Sequence, residues 1–138
     1  MISETQIIVR YAETDQMGIA HHSMYAVWYE AARTEFIRKL GMRYSDVEKA
    51  GILLPLTELT SRYIRAAFYE DVLSITVRIQ KLTVSRISFA YTVRRQGETE
   101  ILNEGTTTHG FVNTSFRPVN LKKYAPDIYA LMMRGLEE

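Results

Sequence analysis

The clearest pattern in the chain is a two-residue alternation near its middle. Over residues 72–81, Leu73, Ile75, Val77 and Ile79 point one way and Ser74, Thr76, Arg78 and Gln80 the other. That is the period of a strand with one buried and one solvated face. Residues 85–95 repeat it with Ile87, Phe89, Tyr91 and Val93, and Gln96-Gly97 reads as the turn that follows. Residues 98–113 return, with a bend expected at Asn103-Glu104-Gly105. Residues 53–66 are long and mixed, and Pro55 near their start suits an edge or an irregular entry. Residues 6–12, rich in β-branched and aromatic types, read as a first strand.

A different period governs residues 24–40, where Met24, Val27, Trp28, Ala31, Ala32, Phe36 and Leu40 fall at helical spacing. The charges Glu30, Arg33, Glu35, Arg38 and Lys39 lie towards the second half, so the front half is apolar nearly all round and is expected to be buried. Ser23 is the expected N-cap, though Ala26 three residues on denies it a full capping box, and Gly41 is the expected stop. Ser45 is expected to cap a short second helix that runs to about Ala50 and stops at Gly51. Residues 121–138 read as one terminal helix, with Pro126 in its first turn and Asp127 and Arg134 at the dipole-favoured ends. Antiparallel strands with one solvated side, and a buried helix to cover the other, give an α+β class, expected as a single domain over residues 1–138.

Composition removes several classes of chemistry. The 138 residues are 46% hydrophobic, enough for one real core. A net charge of +1 argues against a dedicated nucleic-acid binder. The absence of cysteine excludes disulfides, thiolate catalysis and Cys-based zinc sites. His21 and His22 are adjacent, a poor geometry for joint ligation, and no helical His-x-x-x-His pair exists, so neither a metal nor another cofactor is expected. No glycine-rich phosphate loop and no Gly-x-Ser-x-Gly elbow occur. Without an N-terminal basic and apolar leader or a spanning apolar run, a soluble cytoplasmic protein is expected.

The chemistry concentrates where the first strand gives way to the long helix, from Arg10 to Tyr25. A strand, a polar loop and a helix N-terminus follow in quick succession, bringing Asp15 and His22 near the unpaired amides of the helix start. Those amides, with the positive end of the helix dipole, stabilise an oxygen that becomes negative. A carboxylate beside them is what acyl transfer needs. Read alone, an Asp in such a loop is more often than not a turn former bonding its own backbone.

The string Tyr-x-Glu-Thr-Asp-x-Met-Gly-Ile-x-His-His-Ser-x-Tyr, from Tyr11 to Tyr25, resembles the signature of the hotdog-fold acyl-CoA thioesterases, in the branch of 4-hydroxybenzoyl-CoA thioesterase and its YbgC-like relatives. Asp15, Gly18, His22 and Tyr25 fall at the family's spacing; Met24 departs from the small polar residue common at its place. The resemblance implies the hotdog fold, an antiparallel sheet wrapped around a long central helix. It implies hydrolysis of an acyl-CoA or acyl-carrier-protein thioester, with Asp15 as nucleophile or general base. His22 would orient groups or shuttle a proton while its backbone N–H binds the thioester carbonyl, and Tyr11 would bond within the site. It also implies a homodimer or homotetramer with the site at the subunit boundary, so that Thr57 and Glu58 face the Asp15 of the partner subunit.

Gly18, Met24, Tyr25 and Trp28 are the expected walls of the acyl pocket. Glu13 reads as a solvated or loop-fixing residue and His109 as a sheet residue. Arg62, Arg65, Arg86 and Arg117 are the basic residues available for the phosphates of coenzyme A, with Arg86 the first choice. Two rival readings keep the fold: a hydratase or dehydratase on the same carriers, and a non-enzymatic binding module. Thiol release that depends on Asp15 separates both from the hydrolase.

Overall fold

The alternating runs become neighbouring strands in a computed structural model, which describes residues 1–138. β3 (Val72–Leu82) and β4 (Arg86–Arg95) pair antiparallel, with Ile75 opposite Val93 and Val77 opposite Tyr91. β5 (Ile101–Gly110) continues the sheet on one side and β2 (Leu56–Tyr63) forms its edge beyond, while β1 (Ser3–Ile8) pairs with β3 at the other edge. The order is β1-β3-β4-β5-β2, antiparallel throughout. The predicted apolar sets of β3 and β4 all turn inward and are buried. Against them lies α1 (Met24–Lys39), which buries Tyr25, Trp28, Tyr29, Ala32, Phe36 and Ile37. Phe36 meets Phe89 edge-on at 5.8 Å, and Tyr29 stacks on Tyr91 with centroids 4.4 Å apart. Each such side chain contributes about 1.5–3 kcal/mol by leaving water.

Several boundaries differ from the sequence reading, each for a local reason. The first strand stops at Ile8 and Tyr11–Glu13 is a 3₁₀ turn, because Glu13 reaches back to accept the Arg10 amide at 2.8 Å. Ser23 does not cap α1: its backbone is already helical and its hydroxyl bonds His21 Nδ1 at 2.8 Å. The second helix, α2 (Tyr44–Lys49), is capped by the Asp46 carboxylate, which accepts the Arg43 amide, so Ser45 lies inside it. The terminal segment is two helices, α3 (Leu121–Tyr124) and α4 (Pro126–Glu137), because Ala125 stands before a proline and leaves the α region. β5 continues through Asn103-Glu104-Gly105 as one strand, and the irregularity lies beside them at Leu102, where the register against β4 slips between the pairs Val93–Asn103 and Arg94–Ile101. The front half of α1 is not buried all round either: Val27 is 51% exposed, and Ala26 and Ala31 are exposed too.

A buried polar string runs beneath α1. Arg33 donates to the Tyr91 hydroxyl at 3.0 Å, Tyr91 and Thr107 bond at 2.6 Å, and Thr107 meets His109 Nε2 at 3.0 Å. His109 Nδ1 lies 3.2 Å from the Leu54 carbonyl. A carbonyl only accepts, so Nδ1 carries the proton and a neutral ring leaves Nε2 to accept from Thr107; Thr107 in turn accepts from Tyr91. Every donor in the string then has one acceptor, and protonating Nε2 would break the order.

Burial, and after it the Arg33 charge, pull His109 down to about 4. The folded state thus holds its imidazole neutral where the unfolded chain would already be protonated. Its contribution to stability is full above about pH 6.5 and is lost by about 3 kcal/mol as pH falls to 4. Urea melts from pH 7 to 4.5 are expected to show that decline, and His109→Gln, less stable at pH 7, is expected to flatten it.

Candidate active site

The loop between β1 and α1 is stapled at four points. The Asp15 amide donates to the Ile19 carbonyl and the Gly18 amide to the Asp15 carbonyl, both at 2.9 Å, with Gly18 at φ +78° making the turn. The Ala20 amide bonds the Ala67 carbonyl and the His21 amide bonds the Glu13 carbonyl, each at 2.8 Å. Glu13 is the anchor. Only 4% exposed, its carboxylate accepts the Arg10 amide, the Arg10 guanidinium at 3.4 Å and Trp28 Nε1 at 3.1 Å. Burial works to raise its pKa, but the bonds from Arg10 and Trp28 outweigh it and hold the carboxyl below its ordinary value.

Asp15 is half-buried, and one of its oxygens, Oδ1, accepts the Met17 amide at 2.8 Å. The turn-forming role is therefore real, and it leaves the other oxygen, Oδ2, without a protein partner. His22 supplies the complementary group. The His21 carbonyl accepts the Met24 amide at 3.0 Å, so the His21–His22 peptide lies along the axis of α1 and its N–H points away from the helix. That N–H bonds no protein acceptor. It sits at the positive end of the helix dipole.

Asp15 and His22 open on one cavity of about 300 Å³, whose other walls include Met17, Ile19, Tyr25, Tyr63 and Ile64. Tyr25 is only 3% exposed and its hydroxyl has no hydrogen-bond partner in the chain. An apolar chamber with a free carboxylate oxygen and an outward amide can bind an apolar acyl group and stabilise negative charge on its carbonyl oxygen. A wider groove of about 670 Å³, lined by Thr60, Arg62, Thr76, Arg78, Thr92 and Glu104 among others, pairs no carboxylate with an imidazole or free amide.

The remaining expected site residues fall in distinct places. Gly18 shares a shallow groove with Asp15, Tyr11 and Tyr69; Tyr11 is 77% exposed and meets Tyr69 edge-on at 5.6 Å. Met24 packs against the core, and Trp28 is core outright, tied to Glu13 and edge-on to Tyr25 at 4.8 Å. Of the four arginines, only Arg65 lines the Asp15 cavity, where it pairs with Glu100. Arg86 lies with Thr57 and Glu58 in a separate polar groove, Arg62 pairs with Glu104 at 3.9 Å, and Arg117 sits in the exposed loop after β5. Glu13 is the loop-fixing residue of the two alternatives, not the solvated one, and Tyr63, which reaches the His22 carbonyl from β2, escapes sequence reasoning.

Residues 9–128 match the model of the thioesterase-like superfamily. A protein of Bacillus subtilis named as the putative acyl-CoA thioesterase YneP is 37% identical over 91% of each chain. The solved DHNA-CoA thioesterase of Staphylococcus aureus superposes with a TM-score of 0.91 at 34% identity, covering 96% of this chain and 89% of that one. A 4-hydroxybenzoyl-CoA thioesterase complex superposes at 0.84 with 19% identity over 95% of this chain and 98% of the other, a likeness of fold. The chain belongs to the thioesterase-like superfamily and has its hotdog fold.

Proposed function

We propose that this thioester hydrolase cleaves acyl-CoA to a carboxylic acid and free coenzyme A in the cavity between Asp15 and the mouth of α1. The observation that supports the reading is that Asp15, with one oxygen unpartnered, and His22, with its N–H unbonded, line the same chamber. The His22 amide donates to the thioester oxygen as it gains charge, and the α1 dipole adds to it. Either Asp15 adds to the carbonyl carbon and expels the thiolate, leaving a mixed anhydride that water then hydrolyses, or it takes the proton of a water that adds to the carbon as the thiolate leaves. A thioester carbonyl is electrophilic and a thiolate leaves readily, so the reaction asks for no metal. The acyl group lies against Met17, Ile19, Tyr25 and Ile64, and Arg65, paired with Glu100 at the wall, is the one of the four arginines beside the bound ester. The names of the relatives, thioesterases on coenzyme A esters, support this carrier. The test is a panel of acyl-CoA esters with a thiol-trapping dye, on the native protein and on Asp15→Asn. Equal release by both would sink the reading.

The proposal includes a second copy of the chain. The two sheet edges are unequally guarded. At β1, Lys39 Nζ donates to Ser3 Oγ at 3.0 Å and to the Glu4 carbonyl at 3.2 Å, while β2 carries Leu56, Leu59 and Tyr63, each at least 40% exposed. An open apolar edge is the one that pairs. Leu59→Lys is expected to convert a dimer to monomer in sedimentation velocity and to lower thiol release with it; an unchanged sedimentation coefficient would place the interface elsewhere.

A further inference from the structure

The amide that would hold the carbonyl oxygen belongs to the His21–His22 peptide, whose carbonyl accepts the Met24 amide at 3.0 Å and whose tilt depends on the peptides to either side. On the upstream side the His21 amide is bonded to Glu13, whose side chain is locked by Arg10 and Trp28. On the downstream side the Ser23 amide donates to His21 Nδ1 at 3.2 Å, and the His22 carbonyl accepts the Tyr25 amide at 3.4 Å, a long bond for the first turn of a helix. One further group reaches that carbonyl. The Tyr63 hydroxyl donates to it at 3.2 Å, from the end of β2, across the mouth of the cavity. The Tyr63 ring stands edge-on to Tyr25 at 5.3 Å and to His22 at 6.4 Å, so its direction is set by aromatic packing on two sides. The strand that carries it is pinned at Ser61, which bonds Asn103 Nδ2 at 2.9 Å and the Tyr29 hydroxyl at 3.1 Å.

We propose that Tyr63 is a positioning residue: through the His22 carbonyl its hydroxyl sets the direction of the His22 N–H and so the polarisation of the bound thioester. This rests on the thioesterase reading above. Tyr63 need not touch the reacting atoms; it closes the second half of a clamp whose first half is Glu13. Rotation of one peptide by a few tens of degrees takes an N–H out of line with its acceptor, and a donor in such a site contributes up to 10²–10³-fold in rate. A hydroxyl acting one peptide away contributes less, about tenfold.

The test compares Tyr63→Phe, which keeps the ring and its packing, with the native enzyme. The expected result is a kcat about tenfold lower, a KM within about twofold and an unchanged melting temperature. The second readout is the carbonyl stretch of an aryl-CoA ester bound to Asp15→Asn, which holds substrate without turning it over. Binding is expected to lower that frequency, and adding Tyr63→Phe is expected to return it part of the way to the free ester's value. Tyr63→Phe with native kcat and an unmoved carbonyl band would overturn the proposal. So would a loss confined to KM or to stability, since those belong to a wall or a packing role. If Asp15→Asn itself releases thiol at the native rate, the thioesterase reading fails, whatever Tyr63→Phe does.

Discussion

Asp15→Asn is expected to lower kcat for thiol release by about 10³-fold or more, about 4 kcal/mol of transition-state stabilisation, with the fold intact. The substitution separates the two roles the side chain plays. In the folded loop Oδ1 accepts the Met17 amide at 2.8 Å, and an asparagine carbonyl oxygen can accept the same bond. The turn through Gly18 and the bonds from Ala20 and His21 do not involve the side chain and should survive. What is lost is the second oxygen: an amide nitrogen neither adds to a carbonyl carbon nor takes a proton from water. KM is expected to move little, because the apolar walls and the His22 amide are unchanged. Steady-state kinetics with a thiol dye, beside a melting curve, checks both halves. A variant as active as the parent would mean that this carboxylate only shapes a turn.

That double role explains how far the sequence could be read. The position of Asp15 beside a helix start was legible, because loop and helix are contiguous and the helical period from Met24 is plain. The inward sets of β3 and β4 were legible for the same reason, since a strict alternation states which side chains share a face. What periodicity does not state is which distant group meets which. Trp28 was visible as an apolar helix residue, but not that its indole N–H would find Glu13 fifteen positions earlier. Tyr63 lies 41 positions from His22 and joins it only because β2 and the mouth of α1 end at the same place. The string from Arg33 to His109 likewise draws on a helix and two strands. Asn103 and Gly105 signal a bend where the sheet has only a one-residue slip at Leu102. They are turn formers by type, yet Asn103 is fully buried and paired with Tyr29 and Ser61.

Gly105→Ala is expected to cost about 3 kcal/mol, or about 10 °C in melting temperature, although the glycine has no positive φ and pairs in register with Tyr91 and Ser61. The reason is close approach. A Cβ at this position would collide with the Thr60 carbonyl and the Tyr29 hydroxyl, and would stand 2.8 Å from Tyr29 Cε2. The carbonyl belongs to β2, paired to β5 at Thr60–Thr106 and Ser61–Gly105, so it cannot retreat without opening the ladder. Nor can Tyr29 swing away, since it stacks on Tyr91 at 4.4 Å and its hydroxyl is bonded to Asn103 and Ser61. Gly97 makes the contrast. At φ +79° with open space around it, its alanine variant should lose about 1 kcal/mol through backbone strain alone. If Gly105→Ala melted like the parent, β2 would be free to move off β5, and a strand that yields at Ser61 could not hold Tyr63 against His22 two residues further on.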